Sequence, residues 1–511
     1  MTSPESNHVR NATVLGDQKL KDSPTSPNFS RESSTDSQNS TTSSNVVPPL
    51  TAHPFRTLVL CFDGFDSDNS NIVQLFSTLK KDDKDTQMVY YQAGIGTYTS
   101  PQIATPMMAK FSKVRIQRSR SRRVLIKRMG SGWYLDAHVM ELWAPNNYFL
   151  GDFLLTPDHD QIKLAIVFAF LVFHGAHTLP EGMIHKVGIL PACNHQQVPF
   201  AYKMFTRDDE IGYAQSAAFK KAFSVDATIE FVGVWSNTLV KTFRHAVSLD
   251  ERRAKFKANL WNSPSDVNTN NIEETGKHSH HHHHHLDREY LRFFKDPNQK
   301  TDIEEVWFAG CHCDVGGGSV SNTETTNLAR IPLRWMIRQC FKTNTGILFN
   351  SEGLRSLGLN PSSLWPKVEP RPALTAPVTP SRIRPIPRNP PPLISQDLSQ
   401  DLSKGGSRSI YKTEEELDWE DSMSPIYDQL SLAPGWWALE FLPVKNKFHD
   451  GSGKFLTEIE CNLGRARKIP RQKQGVKIHR SVKMRMEAQY ENGKKYIPRA
   501  KFDPQYVTWV D

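Results

Sequence analysis

Short apolar runs alternate with helical patterns through the first two thirds of the chain. Runs rich in branched and aromatic residues that end at glycine or a polar turn predict buried strands at 56–62, 87–91, 164–173, 228–235 and 305–309. Apolar positions at helical spacing predict helices at 71–80, 244–260 and 328–342. Strands that alternate with helices in this way predict the α/β class, with a mostly parallel sheet and helices on both faces.

Ligands of such folds bind at the carboxyl ends of the parallel strands. The loops that follow the predicted strands are therefore the candidate sites. They lie at Asp63-Gly64, 94–98, His174-Gly175, the stretch after Trp235, and 310–318.

Composition divides the chain into four parts. Residues 1–52 are rich in Ser, Thr, Asn, Asp and Pro and predict a disordered tail. The main domain spans 53–345 and is interrupted by a His-rich loop at 263–285. Because 11 of the 33 prolines lie between residues 361 and 392, a Pro- and Ser-rich linker is predicted at 346–409. The last part, 410–511, predicts a segment packed on the main domain.

Charge and cysteine content change this picture little. The chain has 63 basic and 54 acidic residues, a mild excess that does not by itself indicate nucleic acid. The six cysteines are too scattered for a disulfide framework and are typical of reduced thiols inside a cell. No signal peptide or transmembrane segment is predicted, because the longest apolar run has ten residues and a spanning helix needs about 20. We expect a cytoplasmic protein, with the nucleus as the alternative.

Several segments, in the same order, resemble one known family. They begin with Cys61-Phe-Asp-Gly64 and Tyr90-Tyr-Gln-Ala-Gly-Ile-Gly-Thr97, and continue with Phe231-Val-Gly-Val-Trp235, Arg244-His-Ala-Val-Ser-Leu-Asp-Glu-Arg-Arg253 and Trp307-Phe-Ala-Gly-Cys-His-Cys-Asp-Val-Gly-Gly-Gly318. The chain resembles an uncharacterised α/β-hydrolase-like family, with many fungal members, that is related to the catalytic domain of type VI secretion phospholipase effectors. The resemblance implies an α/β-hydrolase-like fold and a Ser-Asp-His site for carboxylic esters, including those of lipids.

Two of the three residues that the resemblance implies are absent. The family's nucleophile turn resembles Gly-Phe-Ser-Arg-Gly-Ala-Tyr-Thr, whereas this chain reads Leu171-Val-Phe-His-Gly-Ala-His-Thr178, so Phe173 stands where serine is expected. The family's acid follows the Gly-Val-Trp strand, but here Trp235 is followed by Ser236-Asn237-Thr238. His312 is the remaining member, in a glycine-rich loop after a strand. The departures cluster at 111–132, 141–182 and 236–238, which favours shifted exon joins over evolved loss.

Other residues near these loops have two interpretations each. The loop of Asp63 and Gly64 either is a plain turn or supplies amides to an oxyanion hole, and His174 belongs to the corresponding loop of a later strand. Asp314 either orients His312 or caps the following turn. Cys311 and Cys313 flank His312, but three consecutive side chains do not easily converge on one metal, so no metal and no cofactor are predicted.

Three functional hypotheses follow. The first is an ester or lipid hydrolase family member that is inactive in this sequence because the serine and the acid are missing. The second is a non-catalytic binding or scaffold protein, with the proline-rich segment as a docking motif for a proline-recognising partner. The third is a binder of nucleic acid or acidic surfaces through 113–128, where eight of 16 residues are Lys or Arg; a solvated helix explains this run equally well, and nucleic acid is not the expected partner.

Overall fold

The computed structural model describes most of the second half of the chain and the strands of the first half. The described residues are 45–53, 56–63, 70–83, 85–92, 162–168, 186–188, 197–205, 207, 210–224, 229–233, 241–256, 258, 260, 301–321, 324–372, 381–386, 412–449 and 455–511.

Eight parallel strands form the main sheet, which confirms the α/β class and the mostly parallel sheet. In chain order the strands of the protein are β1 Val46–Val47, β2 Arg56–Phe62, β3 Gln87–Gln92, β4 Ile162–Phe168, β5 Ile229–Gly233, β6 Thr242–Ser248, β7 Asp302–Phe308, β8 Phe349–Asn350, β9 Pro443–His449, β10 Phe455–Cys461, β11 Val476–His479 and β12 Val507–Val510. The order across the main sheet is β12-β11-β7-β6-β5-β4-β2-β3. The pairs β1-β8 and β9-β10 form two small antiparallel sheets.

The described helices cover both faces of this sheet. They are Asn71–Thr78, Val198–Phe205, Glu210–Phe223, His312–Gly316, Arg330–Lys342, Ser351–Ser356, Glu414–Ser422, Gln429–Leu432, Trp437–Glu440 and Arg480–Glu487. Alternate residues of β7 point to opposite faces, so Phe308 joins one apolar cluster and Trp307 joins the other. The first cluster includes residues of the helix Arg330–Lys342, and the second includes residues of Arg480–Glu487.

Most of the elements predicted from apolar spacing are confirmed. Each of the five predicted strands overlaps an observed one, from β2 to β5 and β7. The predicted helix at 71–80 is observed as Asn71–Thr78, and the Ser70 hydroxyl accepts hydrogen bonds from the amides of Ile72 and Val73. Such a cap provides a hydrogen-bond acceptor for amides of the first turn, which have no partner within the helix.

The prediction of a helix at 244–260 is wrong. Residues 242–248 form β6, every residue of which is buried between β5 and β7. Both faces of this central strand are buried, so its sequence, Thr-Phe-Arg-His-Ala-Val-Ser, lacks the alternation of apolar and polar residues that would have marked a strand.

Two predicted segment boundaries also differ from the structure. Residues 45–52, assigned to the tail, contain β1, which pairs with β8. Residues 347–364, assigned to the linker, contain seven buried apolar residues, among them Phe349 and Leu354. Packed structure therefore continues beyond residue 346, where proline content predicted the start of the linker, as far as residue 364.

The C-terminal residues complete the same sheet. β11 pairs in parallel with β7 and with β12. A buried ion-pair cluster joins the helix Glu414–Ser422 to the helix Arg330–Lys342: Arg334 donates to Asp418 and Asp421 at 2.6 Å each. Within the described part of the chain, every helix is too short or too polar to cross a membrane.

Candidate active site around His312

The loops that follow β6 and β7 are bound to each other at the carboxyl edge of the sheet. β6 and β7 run in parallel, with Ser248 opposite Phe308 at their ends. The amide of Gly310 donates to the Asp250 carboxylate at 2.7 Å, and the amide of Asp250 donates to the Gly310 carbonyl at 3.0 Å. The Tyr496 hydroxyl donates to the same carboxylate at 2.6 Å. These bonds hold Glu251, the residue after Asp250, next to the start of the helix His312–Gly316.

Gly310 is required for this approach. Its φ is +106°, a region that residues with a Cβ rarely adopt, and a Cβ at this position would lie 2.5 Å from the Cβ of Asp314. The Asp314 carboxylate in turn accepts hydrogen bonds from the amides of Cys311 at 2.8 Å and Tyr427 at 3.1 Å. Asp314 therefore caps the short helix and ties it to the C-terminal residues.

The imidazole of His312 is held by Glu251. Its Nδ1 lies 2.5 Å from Glu251 Oε2, and the two side chains are 8% and 2% exposed, respectively. Arg253 donates to both Glu251 oxygens, at 3.2 and 3.3 Å, and its Nη2 lies 2.8 Å from His312 Nδ1. The ring of Phe256 packs against the imidazole with 4.2 Å between centroids. An acid, an imidazole and a guanidinium are thus brought together from two loops.

Charge and burial set the protonation of this cluster. Burial lowers the pKa of His312 to about 4, and Arg253 acts in the same direction, against the opposing effect of Glu251. Burial would raise the pKa of Glu251, but the hydrogen bond from His312 and the charge of Arg253 hold that pKa well below its usual range. At neutral pH the imidazole is neutral and the carboxylate ionised. Because an ionised carboxylate only accepts, Nδ1 carries the imidazole proton.

C-terminal residues cover the loop that holds Glu251. The Trp436 ring lies 4.7 Å from the Arg253 guanidinium, and Glu440 accepts a hydrogen bond from the Ala254 amide at 2.7 Å. Arg467 donates to the Ser248 hydroxyl at 2.7 Å and to the Phe256 carbonyl at 3.1 Å. These contacts hold the 251–256 loop over His312, which explains why so little of the imidazole is exposed.

A model of a known family matches the part of the chain that carries this cluster. It describes the catalytic domain of Tle1-like phospholipase effectors of type VI secretion systems (T6SS), and it matches residues 56–238 and 236–339. This chain belongs to that family. Together the two matches cover more than half of the chain, and they meet at 236–238, where the sequence departs from the expected acid motif. Glu251 and His312 lie inside the second match, whereas Trp436, Glu440 and Arg467 lie beyond it.

A relative of this Tle1-like chain occurs in yeast. The uncharacterized protein YEL023C of Saccharomyces cerevisiae (strain ATCC 204508 / S288c) is 22% identical over an alignment of 575 positions. The alignment covers 87% of this chain and 80% of the yeast protein. No solved structure matches this chain significantly. The long match to the yeast protein extends the similarity beyond the residues covered by the family model.

The structure places only part of the predicted site. Asp63 lies at the end of β2, where its carboxylate accepts a hydrogen bond of 2.6 Å from the Tyr91 hydroxyl. Gly64, Phe173, His174 and residues 236–238 lie outside the described residues. Within the described residues, no group of three or more His, Cys, Asp or Glu side chains is arranged to hold a metal ion.

Glu251 and Arg253 are the site residues that sequence analysis missed. Both lie in the segment Arg244–Arg253 that carried part of the family resemblance, directly after a buried strand. The feature that could have identified them is a run of four charged residues at 250–253. This run lies at the carboxyl end of a strand in a parallel sheet. The wrong helix prediction for 244–260 placed these residues on a helix surface and concealed the feature.

Acidification is expected to destabilise the wild-type protein more than the variant His312→Gln. Between about pH 6.5 and the lowered pKa of about 4, the unfolded state binds a proton at this histidine and the native state does not. Stability from this group is therefore present above about pH 6.5 and is lost as the pH falls toward 4. We expect the two proteins to differ by about 1–2 kcal/mol in their loss of unfolding free energy between about pH 7 and pH 5.

Urea unfolding of both proteins at the two pH values measures this difference. The variant His479→Gln serves as a matched comparison, because burial also lowers the pKa of His479, to about 3, at the end of β11. Equal pH dependence in the wild-type protein and in His312→Gln would contradict the assignment of a neutral buried imidazole.

A cavity of about 480 Å³ lies beside the glycine-rich loop that follows His312. Gly317, Gly318, Arg330, Lys412 and Glu420 are among its lining residues, which do not include His312. The φ of Gly317 is +91°, and a Cβ at Gly317 would lie 2.6 Å from the amide nitrogen of Asn71, so the loop packs closely on the start of the first helix.

Proposed function

We propose that this protein is a member of an ester- and lipid-hydrolase family that has lost the serine route of hydrolysis in this sequence while it retains the acid–imidazole half of the site. The observation that supports the proposal best is the pairing of His312 Nδ1 with Glu251 at 2.5 Å. A carboxylate on Nδ1 keeps the proton there and leaves Nε2 able to act as a base, as in Ser-His-Asp hydrolases. The α/β-hydrolase-like fold and the ester substrate class are part of this proposal.

Glu251 supplies what the missing acid would supply. An acid in a hydrolase triad orients the imidazole and stabilises the imidazolium, and a buried glutamate can do both. Loss of the family's acid after Trp235 therefore does not by itself remove the support for His312. The nucleophile is the decisive loss, since the phenyl ring of Phe173 has no atom that can attack a carbonyl carbon.

Shifted exon joins are the origin that we propose for this loss. The two family matches overlap at 236–238, which is one of the three places where the sequence departs from the family pattern. Sequencing of the mature transcript across codons 109–240 tests this origin. We expect it to encode a Gly-x-Ser-x-Gly turn before Gly182 and an aspartate after Trp235. A transcript identical to the present sequence would instead mean evolved loss and a pseudo-hydrolase.

We expect no serine-dependent turnover from the protein of this sequence. The full chain is incubated with a fluorophosphonate probe, which labels only activated serines, and with p-nitrophenyl butyrate. Without a serine nucleophile the probe should label no serine, and ester hydrolysis that depends on a serine should be absent. His312→Ala is the matched control for hydrolysis. Fluorophosphonate labelling of a serine that disappears in His312→Ala would overturn the proposal.

A further inference from the structure

The sulfur of Cys313 lies against the second nitrogen of the His312 imidazole. The distance from Cys313 Sγ to His312 Nε2 is 2.9 Å, within hydrogen-bond range for sulfur. Cys313 is partly exposed, unlike the imidazole that it contacts. Glu251, His312 and Cys313 thus form a continuous row from a buried carboxylate, through an imidazole, to the thiol of a partly exposed cysteine.

Proton positions give this row a direction. Nδ1 carries a proton because it faces the ionised Glu251 carboxylate, so Nε2 of the neutral ring presents its lone pair to the sulfur. The thiol S–H then donates to Nε2. A nucleophile, a base and an acid that orients the base are the three parts of an activated nucleophile, whatever their order in the chain.

We propose that Cys313 is a nucleophilic thiol, activated by His312, that reacts covalently with small molecules bearing an electrophilic carbon. With an α-haloamide, the sulfur lone pair forms an S–C bond while the carbon–halogen bond breaks, and the halide leaves with the electron pair of that bond. The thiol proton passes to Nε2, where Glu251 stabilises the imidazolium. Arg253 Nη2 lies 3.2 Å from the same Nε2, and its charge opposes protonation of the ring, whereas the Glu251 carboxylate favours it.

The other described cysteines provide comparisons within the same molecule. Cys461 is also partly exposed, but its thiol donates a hydrogen bond of 3.1 Å to the Phe441 carbonyl. A carbonyl oxygen neither removes the proton from the thiol nor stabilises a thiolate. Burial raises the pKa of the Cys340 thiol to about 12, and burial also raises the pKa values of the Cys61 and Cys311 thiols. Cys461 is therefore the matched control for exposure, and the three buried thiols report whether the fold is intact.

The test is the rate at which iodoacetamide alkylates each cysteine of the full chain at neutral pH, followed by peptide mass spectrometry. We expect Cys313 to react at least about tenfold faster than Cys461. Each unit by which the pKa of a thiol is lowered raises the fraction of thiolate at neutral pH about tenfold. In His312→Gln we expect the Cys313 rate to fall to within about twofold of the Cys461 rate. Cys313→Ser confirms the assignment of the labelled peptide.

Either of two results would overturn the proposal: equal rates for Cys313 and Cys461 in the wild-type protein, or an unchanged rate ratio in folded His312→Gln. Continued protection of Cys61, Cys311 and Cys340 identifies the folded variant. If these thiols become reactive in His312→Gln, the ratio measured in the wild-type protein decides the question alone. This inference does not depend on the proposed origin of Phe173.

Discussion

Replacing Arg334 by methionine is expected to lower the free energy of unfolding by about 3–5 kcal/mol. The Arg334 guanidinium is 1% exposed and donates to Asp418 and Asp421, which are 1% and 0% exposed. Methionine fills similar space but leaves two buried carboxylates without their main partner. The free-energy cost of an uncompensated buried charge exceeds the free energy gained from the apolar area that methionine buries. Urea unfolding followed by circular dichroism measures the change.

The matched control for Arg334→Met is Lys412→Met. The Lys412 ammonium forms an ion pair of 2.5 Å with Glu420, on the same helix as Asp418, but the two side chains are 53% and 39% exposed. Solvent screens this pair, so its loss should change stability by less than about 1 kcal/mol. Similar losses for the two variants would show that the buried cluster does not anchor the helix Glu414–Ser422 to the helix Arg330–Lys342.

Truncating Phe349 to alanine is expected to cost about 3–5 kcal/mol. Phe349 is 0% exposed and packs against Phe341, with 5.1 Å between ring centroids, in the cluster that includes β7 and the helix Arg330–Lys342. Removal of the ring leaves a cavity that the surrounding strands and helices can only partly fill. Thermal or urea unfolding of the variant gives the size of the loss.

Phe441→Ala is the control for this truncation, because Phe441 is 61% exposed. Removal of an exposed ring leaves no cavity, so the expected change is within about 0.5 kcal/mol. If Phe349→Ala were as mild as Phe441→Ala, residues 347–364 would behave as the linker that proline content predicted. The comparison therefore also tests where the packed domain ends.

Local sequence was sufficient for elements whose pattern agrees with their environment. The helix Asn71–Thr78 has one apolar stripe and a serine cap, and it was predicted closely. The central strand β6 is buried on both sides, so its sequence carries no alternation, and the same residues were assigned to a helix. β11, a strand of four residues, was not predicted.

The sequence by itself determined the α/β class, the family resemblance and the position of His312 just beyond the carboxyl end of a strand. It could do so because strand and helix periodicity, and a glycine-rich motif, are properties of neighbouring residues. Only the tertiary structure decided that Glu251 is the partner of His312, since the two residues are 61 positions apart and meet through the pairing of β6 with β7. It also decided that residues after 410 cover the site. Contacts between distant residues depend on strand order, which local patterns do not contain.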